Sequence, residues 1–334
     1  MPEQLVFAME VFLNGLMAGV LYALVALGFV LIYKASGIFN FAQGVMALFA
    51  AMTLVGIQNG QIPFAPLINA TLGTNAHFFG WNLPSAISLP LTVGVMILLA
   101  WAVQRFVFRH LVGQEPIILF MATIGLAYFL EGVADLMWGS EIKKLDFCLT
   151  AETCLPQGIN LAIDEATYNW FGYGFFIDNL DITAAIVAVL LVGALVAFSQ
   201  YTKHGRAMRA VADDHQAALS VGISLDFIWV LVWSVAGFVA LVAGIMWGAK
   251  SGVQFSLSLI ALKALPVLML GGFTSIPGAI VGGLIIGVGE KLFEFAIGPM
   301  VGGATENWFA YVLALLFLVF RPQGLFGEKI IERV

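Results

Sequence analysis

Charged side chains are scarce in this chain: Asp, Glu, Lys and Arg make up 10% of its 334 residues, while 61% are hydrophobic. Soluble domains carry roughly 25% charged and about 45–50% apolar residues. A chain of this length with so few charges has too little polar surface to cover a water-soluble globule. Four histidines and two cysteines are too few for a Cys/His metal domain or a disulfide scaffold. Basic excess is missing as well: fourteen Lys/Arg against twenty acids give −6, which removes nucleic acid as a partner. No G-x-x-x-x-G-K-[ST], H-E-x-x-H, C-x-x-C or G-x-S-x-G signature occurs, so neither P-loop ATP binding nor these forms of covalent or metal catalysis is expected. A transport or channel role remains, with no cofactor, no metal site and no catalytic residue in this chain.

What the sequence has in quantity is apolar runs. A helix needs about 20 mostly apolar residues to cross a bilayer. Candidate spans lie near 11–33, 38–57, 86–104, 116–138, 181–199, 227–248, 256–272, 277–297 and 307–320. The expectation is an all-α polytopic integral membrane protein with about nine helices, in a range of eight to ten. The seventh and ninth runs are short enough to be re-entrant or broken helices buried in protein. Lys34, Arg105, Arg109, Lys203, Arg206, Arg209, Arg321, Lys329 and Arg333 all fall on one side if the N-terminus is periplasmic and the C-terminus cytoplasmic. No basic residue precedes Lys34, so the first run is expected to be a retained helix rather than a cleaved signal. The whole of 1–334 then forms one transmembrane domain.

Two loops stand apart. Loop 139–181 carries two Lys against seven acids (Glu141, Asp146, Glu152, Asp164, Glu165, Asp178, Asp181), a net of −5, together with Cys148 and Cys154. On the outer side of a membrane a disulfide persists, so a Cys148–Cys154 bond is expected in this acidic periplasmic loop, whose charge suits it to docking or recognition. Loop 200–226 lies on the basic side. Met208, Val211, His215 and Leu219 recur there at helical spacing, with charged residues on other faces. Gly222 is a helix stop, and Ser224 with Asp226 marks the next start. One or two short amphipathic helices on the cytoplasmic surface are expected; the competing reading is a solvated charge run.

Ionisable residues inside spans mark function in membrane proteins. Glu131 and Asp135 share a helix face near an outer end, and Glu290, Lys291 and Glu294 sit near the end of the eighth run; all five read as interfacial. Lys263 lies within an apolar stretch. It lines a polar cavity, snorkels from a short helix, or shows that the run is drawn wrongly. Gly278-x-x-x-Gly282 and Gly283-x-x-x-Gly287 are small-xxx-small pairs, serving either internal packing or a subunit interface or gate.

Four blocks carry a resemblance. Asn14-Gly15-Leu16-x-x-Gly19-x-x-Tyr22-Ala23-Leu24-x-Ala26-Leu27-Gly28, with Leu31-Ile32-Tyr33 and Ile38-x-Asn40-Phe41-Ala42-x-Gly44, resembles the first two helices of permeases for branched-chain amino acids. Gly205-Arg206-Ala207-Met208-Arg209-Ala210-Val211-Ala212-Asp213, Gly271-Gly272-Phe273-Thr274-Ser275-Ile276-Pro277-Gly278 and Arg321-Pro322-Gln323-Gly324-Leu325-Phe326-Gly327 resemble the family in the same order. The resemblance implies a bacterial inner-membrane permease subunit of an ATP-binding-cassette importer, with a type II-importer-like fold. Its cargo would be a branched-chain or other hydrophobic amino acid or a related amide. Its partners would be a second homologous permease, two cytoplasmic ATPase subunits that bind the ATP and Mg, and a periplasmic substrate-binding protein. Gln216-Ala217-Ala218-x-x-x-Gly222 is similar to the E-A-A-x-x-x-G coupling segment of importer permeases, with Gln for Glu. Residues 204–222 are then expected to dock into the ATPase, with Arg206, Arg209 and Asp213 making polar contacts. Asn14, Tyr22, Asn40, Gln43 and Lys263 are the candidates for the substrate pathway. At Gln43-Gly44-Val45 the chain departs from the family's His and Gly-Glu, and its acidic loop is longer than usual. The rival reading is an ion-coupled secondary transporter or channel for small solutes, in which Lys263 with Glu131 and Asp135 would be the working ions.

Overall fold

A computed structural model of the chain describes residues 2–73, 83–111, 114–150, 153–155, 158–159, 178–213 and 215–327. Twelve α-helices lie among the described residues: α1 Pro2–Ser36, α2 Gln43–Gln58, α3 Ala65–Leu72, α4 Ser85–Phe106, α5 Pro116–Trp138, α6 Asn179–Tyr201, α7 Lys203–Asp213, α8 His215–Ser220, α9 Leu225–Ser251, α10 Ile260–Gly271, α11 Ile276–Val301 and α12 Phe309–Phe320. A small antiparallel sheet, β1 Phe147–Thr150, β2 Thr153–Leu155 and β3 Gly158–Ile159, follows α5. Each of the nine apolar runs coincides with a helix. Five of them are long and apolar enough to cross a membrane (α1, α4, α5, α6, α9), or six when the bent α10–α11 pair is taken as one broken span. The seventh run was expected to be short or re-entrant, and α10 meets α11 at 114°.

Burial sorts the helices into centre and perimeter. The most apolar stretch of α1 is 78% buried and that of α6 only 28%. Apolar side chains that protein does not cover are those a bilayer covers, because lipid tails are as apolar as Leu. The perimeter faces of α4, α5 and α6 accordingly expose Leu98, Phe129 and Leu190. Helix α2 is buried on nearly every face; at 16 residues it is about 24 Å long and shorter than the hydrocarbon core. Its start is buried in the bundle, where backbone groups need protein partners. They have them: Asn40 Oδ1 accepts from Ala42 N at 3.1 Å, and Thr123 Oγ1 accepts from Phe41 N at 3.1 Å.

The central contact is α1 against α11, made through glycines. A Cβ added at Gly19 would sit 2.5 Å from the Gly283 carbonyl oxygen, and one at Gly283 would sit 2.6 Å from that of Gly19. Gly15 and Gly287 continue the seam one turn along. On the far side of α11, Gly282 packs on the Val267 carbonyl and Gly278 on Gly271 of α10. The small-xxx-small pairs thus serve internal packing, on both faces of one helix.

At the end where α1 finishes, two motif blocks meet. Leu325 N donates to Leu270 O at 2.8 Å and Phe326 N to Gly271 O at 3.1 Å, so the Arg321–Gly327 segment satisfies carbonyls at the C-terminus of α10. Ser275 caps α11 by accepting from Gly278 N at 3.1 Å.

Overpacking the glycine seam should unseat α1. Gly19→Val is expected to cost about 1–3 kcal/mol or more and to remove the monodisperse folded species on detergent size-exclusion chromatography. Gly94→Ala, at an α4 glycine with open space around it, should leave the profile unchanged.

Candidate functional site: a buried charge cluster beneath a polar cavity

Three helices bring one polar group into the apolar bundle. Lys263 Nζ of α10 donates to Glu290 Oε1 of α11 at 2.9 Å and to the Tyr22 hydroxyl of α1 at 3.3 Å. The Tyr22 hydroxyl donates to the same carboxylate oxygen at 3.2 Å. The ammonium also stands 5.6 Å over the Tyr22 ring, and that ring stacks on Trp247 of α9 at 5.9 Å between centroids. Glu290 is 1% exposed, whereas the Lys263 side chain is 30% exposed. A charged pair at this depth is tolerated because each partner compensates the other. The compensation is incomplete: Glu290 Oε2 and the Trp247 indole nitrogen have no hydrogen-bond partner among the described residues.

A cavity of about 690 Å³ opens at the end where α1 begins. Asn14 and Ala18 line it from α1, Lys250 from the end of α9, and Lys291 and Glu294 from α11. Glu10, Asp178 and Asp181 add acidic groups, and Lys250 pairs with Asp181 at 2.6 Å.

The predicted pathway residues divide into three sets. Tyr22 and Lys263 meet at the cluster, and Asn14 lines the cavity. Asn40 and Gln43 lie elsewhere, fully buried and bonded to each other at 3.2 Å, with Gln43 Nε2 donating to Ala236 O at 3.3 Å. That geometry ties α2 to α9. Glu290, expected at a wet helix end, is instead deep in the bundle. The reason is that α11 runs on to Val301, which leaves 290 in its interior. An acid inside a glycine-rich run was the signal. Glu131 is half-buried and Asp135 exposed, and neither joins an ion pair with a described residue.

Loop 200–226 forms α7 and α8, two short helices. Met208 and Val211 are buried against the body, and Gly205 packs on the end of α6 where a side chain would not fit. Leu219, expected on the buried face, is exposed with Val221, Gln216 and Ala217, while Ala218 is buried. Gly222 takes φ +84 after α8, a conformation glycine adopts without strain. Arg206 and Asp213 are exposed. Arg209 is half-buried and lines a cavity of about 320 Å³ with Lys34, Ser199, Thr274 and Ser275.

In loop 139–181, Glu152, Asp164 and Glu165 lie outside the described residues. Cys148 is disulfide-bonded and is the ladder partner of Cys154, the one other cysteine of the chain. The approach to this hairpin is pinned to the bundle. Lys143 and Val253 exchange two backbone bonds of 3.0 and 2.9 Å, and Lys143 Nζ donates to the Trp138 carbonyl at 2.7 Å and to Gln61 Oε1.

The chain belongs to the family described as branched-chain amino acid transport system / permease component, whose model matches residues 11–321. Among individual relatives, it is 27% identical over 345 residues to the high-affinity branched-chain amino acid transport system permease protein LivH of Escherichia coli K12, covering all of both chains. It is 29% identical over 343 residues, again over all of both chains, to the corresponding permease protein BraD of Pseudomonas aeruginosa. A more remote relative is the fructose import permease protein FrcC of Rhizobium meliloti, 25% identical over 72% of this chain and 63% of that protein. No solved structure matches the chain.

Burial pushes the Lys143 ammonium down from 10.5 to about 8, with Glu141 pulling the other way. The folded state then holds fewer protons than the unfolded state between about pH 8 and 10.5, so stability rises with pH across that window. Lys143→Met should flatten this rise in a thermal-unfolding series from pH 8 to 10. Intact protein alkylated without reductant is expected to carry no label on Cys148 or Cys154.

Proposed function

We propose that the chain is the permease subunit that forms half of the translocation path in an ATP-driven importer of branched-chain or related hydrophobic amino acids. The observation that carries this reading is the family match across 11–321, joined by relatives aligned over their whole length whose names assign them to branched-chain amino acid transport. The subunit sits in a bacterial inner membrane with its N-terminus periplasmic and its C-terminus cytoplasmic. A second homologous permease completes the path, two cytoplasmic ATPase subunits hold ATP and Mg, and a periplasmic binding protein delivers the substrate. The path alternates between outward and inward openings as the ATPases close and part.

The α7–α8 element is the coupling device. Its buried face, Gly205, Met208, Val211 and Ala218, seats it rigidly on the bundle. Its exposed face presents Arg206, Asp213, Gln216, Ala217 and Leu219, with Gly222 as the stop. A short rigid element held this way transmits a partner's closure as rigid-body motion. Arg209 faces a cavity shared with Lys34 and the start of α11, and Arg206, Arg209 and Asp213 are the polar contacts to the ATPase. At the other face, the acidic 139–181 loop stapled by Cys148–Cys154 meets the binding protein.

Affinity purification of this chain from its native membrane should bring with it a P-loop ATPase and a second permease. Leu219→Asp on the exposed face should release the ATPase and lower ATP-driven import at least about tenfold, with the amount of permease in the membrane unchanged. Recovery of the chain without a P-loop subunit, under conditions that retain other membrane complexes, would overturn the assignment.

A further inference from the structure

The charge cluster lies next to the cavity along three helices. On each of three helices, a cavity-lining residue is followed one turn deeper by a residue of the cluster: Ala18 by Tyr22 on α1, Lys250 by Trp247 on α9, and Glu294 by Glu290 on α11. The directions agree, since α1 runs away from the cavity end and α9 and α11 run toward it. The cluster therefore lies one turn below the cavity's lining residues, as a floor that the lining covers.

The unmet groups at this floor define a ligand. Glu290 Oε2 is an unused anionic acceptor, the Trp247 indole N–H an unused donor, and Lys263 a cation with residual exposure. Formally, the Lys263–Glu290 pair is neutral. A net cation or anion entering it would leave one buried charge uncompensated, which is strongly unfavourable. A zwitterion would not. Its ammonium pairs with Glu290 and its carboxylate with Lys263 and the Trp247 N–H, so that one ion pair opens and two form with no change in net charge. The stacked Tyr22–Trp247 surface then lies beside the ligand's apolar part.

We propose that Lys263, Glu290, Tyr22 and Trp247 form a docking station for the ammonium and carboxylate of an α-amino acid zwitterion on its way through this subunit. The proposal rests on the permease reading above and names the substrate chemistry of its path. It also separates this cluster from Asn40 and Gln43, whose hydrogen bonds are spent within the fold.

The test uses the complete transporter, reconstituted in proteoliposomes with its loaded binding protein, and reads leucine import and stimulated ATPase activity in parallel. Lys263→Met and Glu290→Gln should lower import at least about tenfold, while ATPase activity stays within about twofold. Lys263→Arg, which keeps the charge but not the ammonium's geometry, should retain more import than Lys263→Met. The decisive variant is the double replacement Lys263→Met with Glu290→Leu. A buried pair that only holds helices together is replaceable by apolar packing, so import by the double variant within about twofold of the parent would overturn the station. Loss of ATPase activity in step with import would overturn it as well, because the cluster would then act on coupling. Failure of the parent complex to import leucine on ATP is a different result and would fall on the permease reading itself.

Discussion

Tyr22 reaches Glu290 because α1 and α11 touch backbone to backbone. Gly15 and Gly19 on one helix and Gly283 and Gly287 on the other bring the two axes closer than any side chain would allow. Lipid supplies no hydrophobic force between helices, so this association draws on dispersion and on carbonyl contacts that only small residues permit. The same helix uses its opposite glycines against α10, which carries Lys263. Remove the seam and the three members of the charge cluster part company. An ion pair whose carboxylate is 1% exposed thus depends on residues that carry no charge at all.

Around that seam the molecule divides its labour by depth. At one end, an acidic cavity and a pinned hairpin face the side from which the substrate is delivered in the proposed orientation. At the other, α7 and α8 expose one face while their buried face grips α6 and the body. Between them lie polar groups of two kinds. Asn40, Gln43 and Thr123 close hydrogen bonds that a short buried helix leaves open, and nothing in their geometry is unmet. The Lys263 cluster is different, since a buried carboxylate oxygen and an indole N–H remain without partners. That contrast sets the cluster apart from Asn40, Gln43 and Thr123.

Much of this was legible in the sequence because hydropathy reports helices directly. The nine apolar runs fall on nine helices, and Met208 and Val211 announced an amphipathic element by spacing alone. Lys263 drew notice for being a charge in an apolar run. Glu290 was misplaced because a run of apolar residues ends before its helix does: α11 continues past Glu290, Lys291 and Glu294 to Val301. Leu219 was placed on the wrong face because Asp213 ends α7 and His215 begins a separate helix, so the periodicity does not carry across. The pairing of Lys250 with Asp181 and the ladder between Lys143 and Val253 join positions far apart in the chain, which local pattern does not reveal. Nor could pattern tell that Asn40 and Gln43 serve the fold while Tyr22 serves the cluster.

The central claim is that ATP hydrolysis on partner subunits, and no ion gradient, drives a zwitterionic amino acid through this chain. The most direct measurement is leucine uptake into proteoliposomes holding the purified complex and its binding protein. Two energy sources are compared: ATP on the ATPase side with all gradients collapsed, and an imposed proton or sodium gradient without ATP. The account predicts accumulation with ATP and none with the gradient. Accumulation driven by the gradient alone would contradict it and make Lys263 and Glu290 the ions of a secondary carrier.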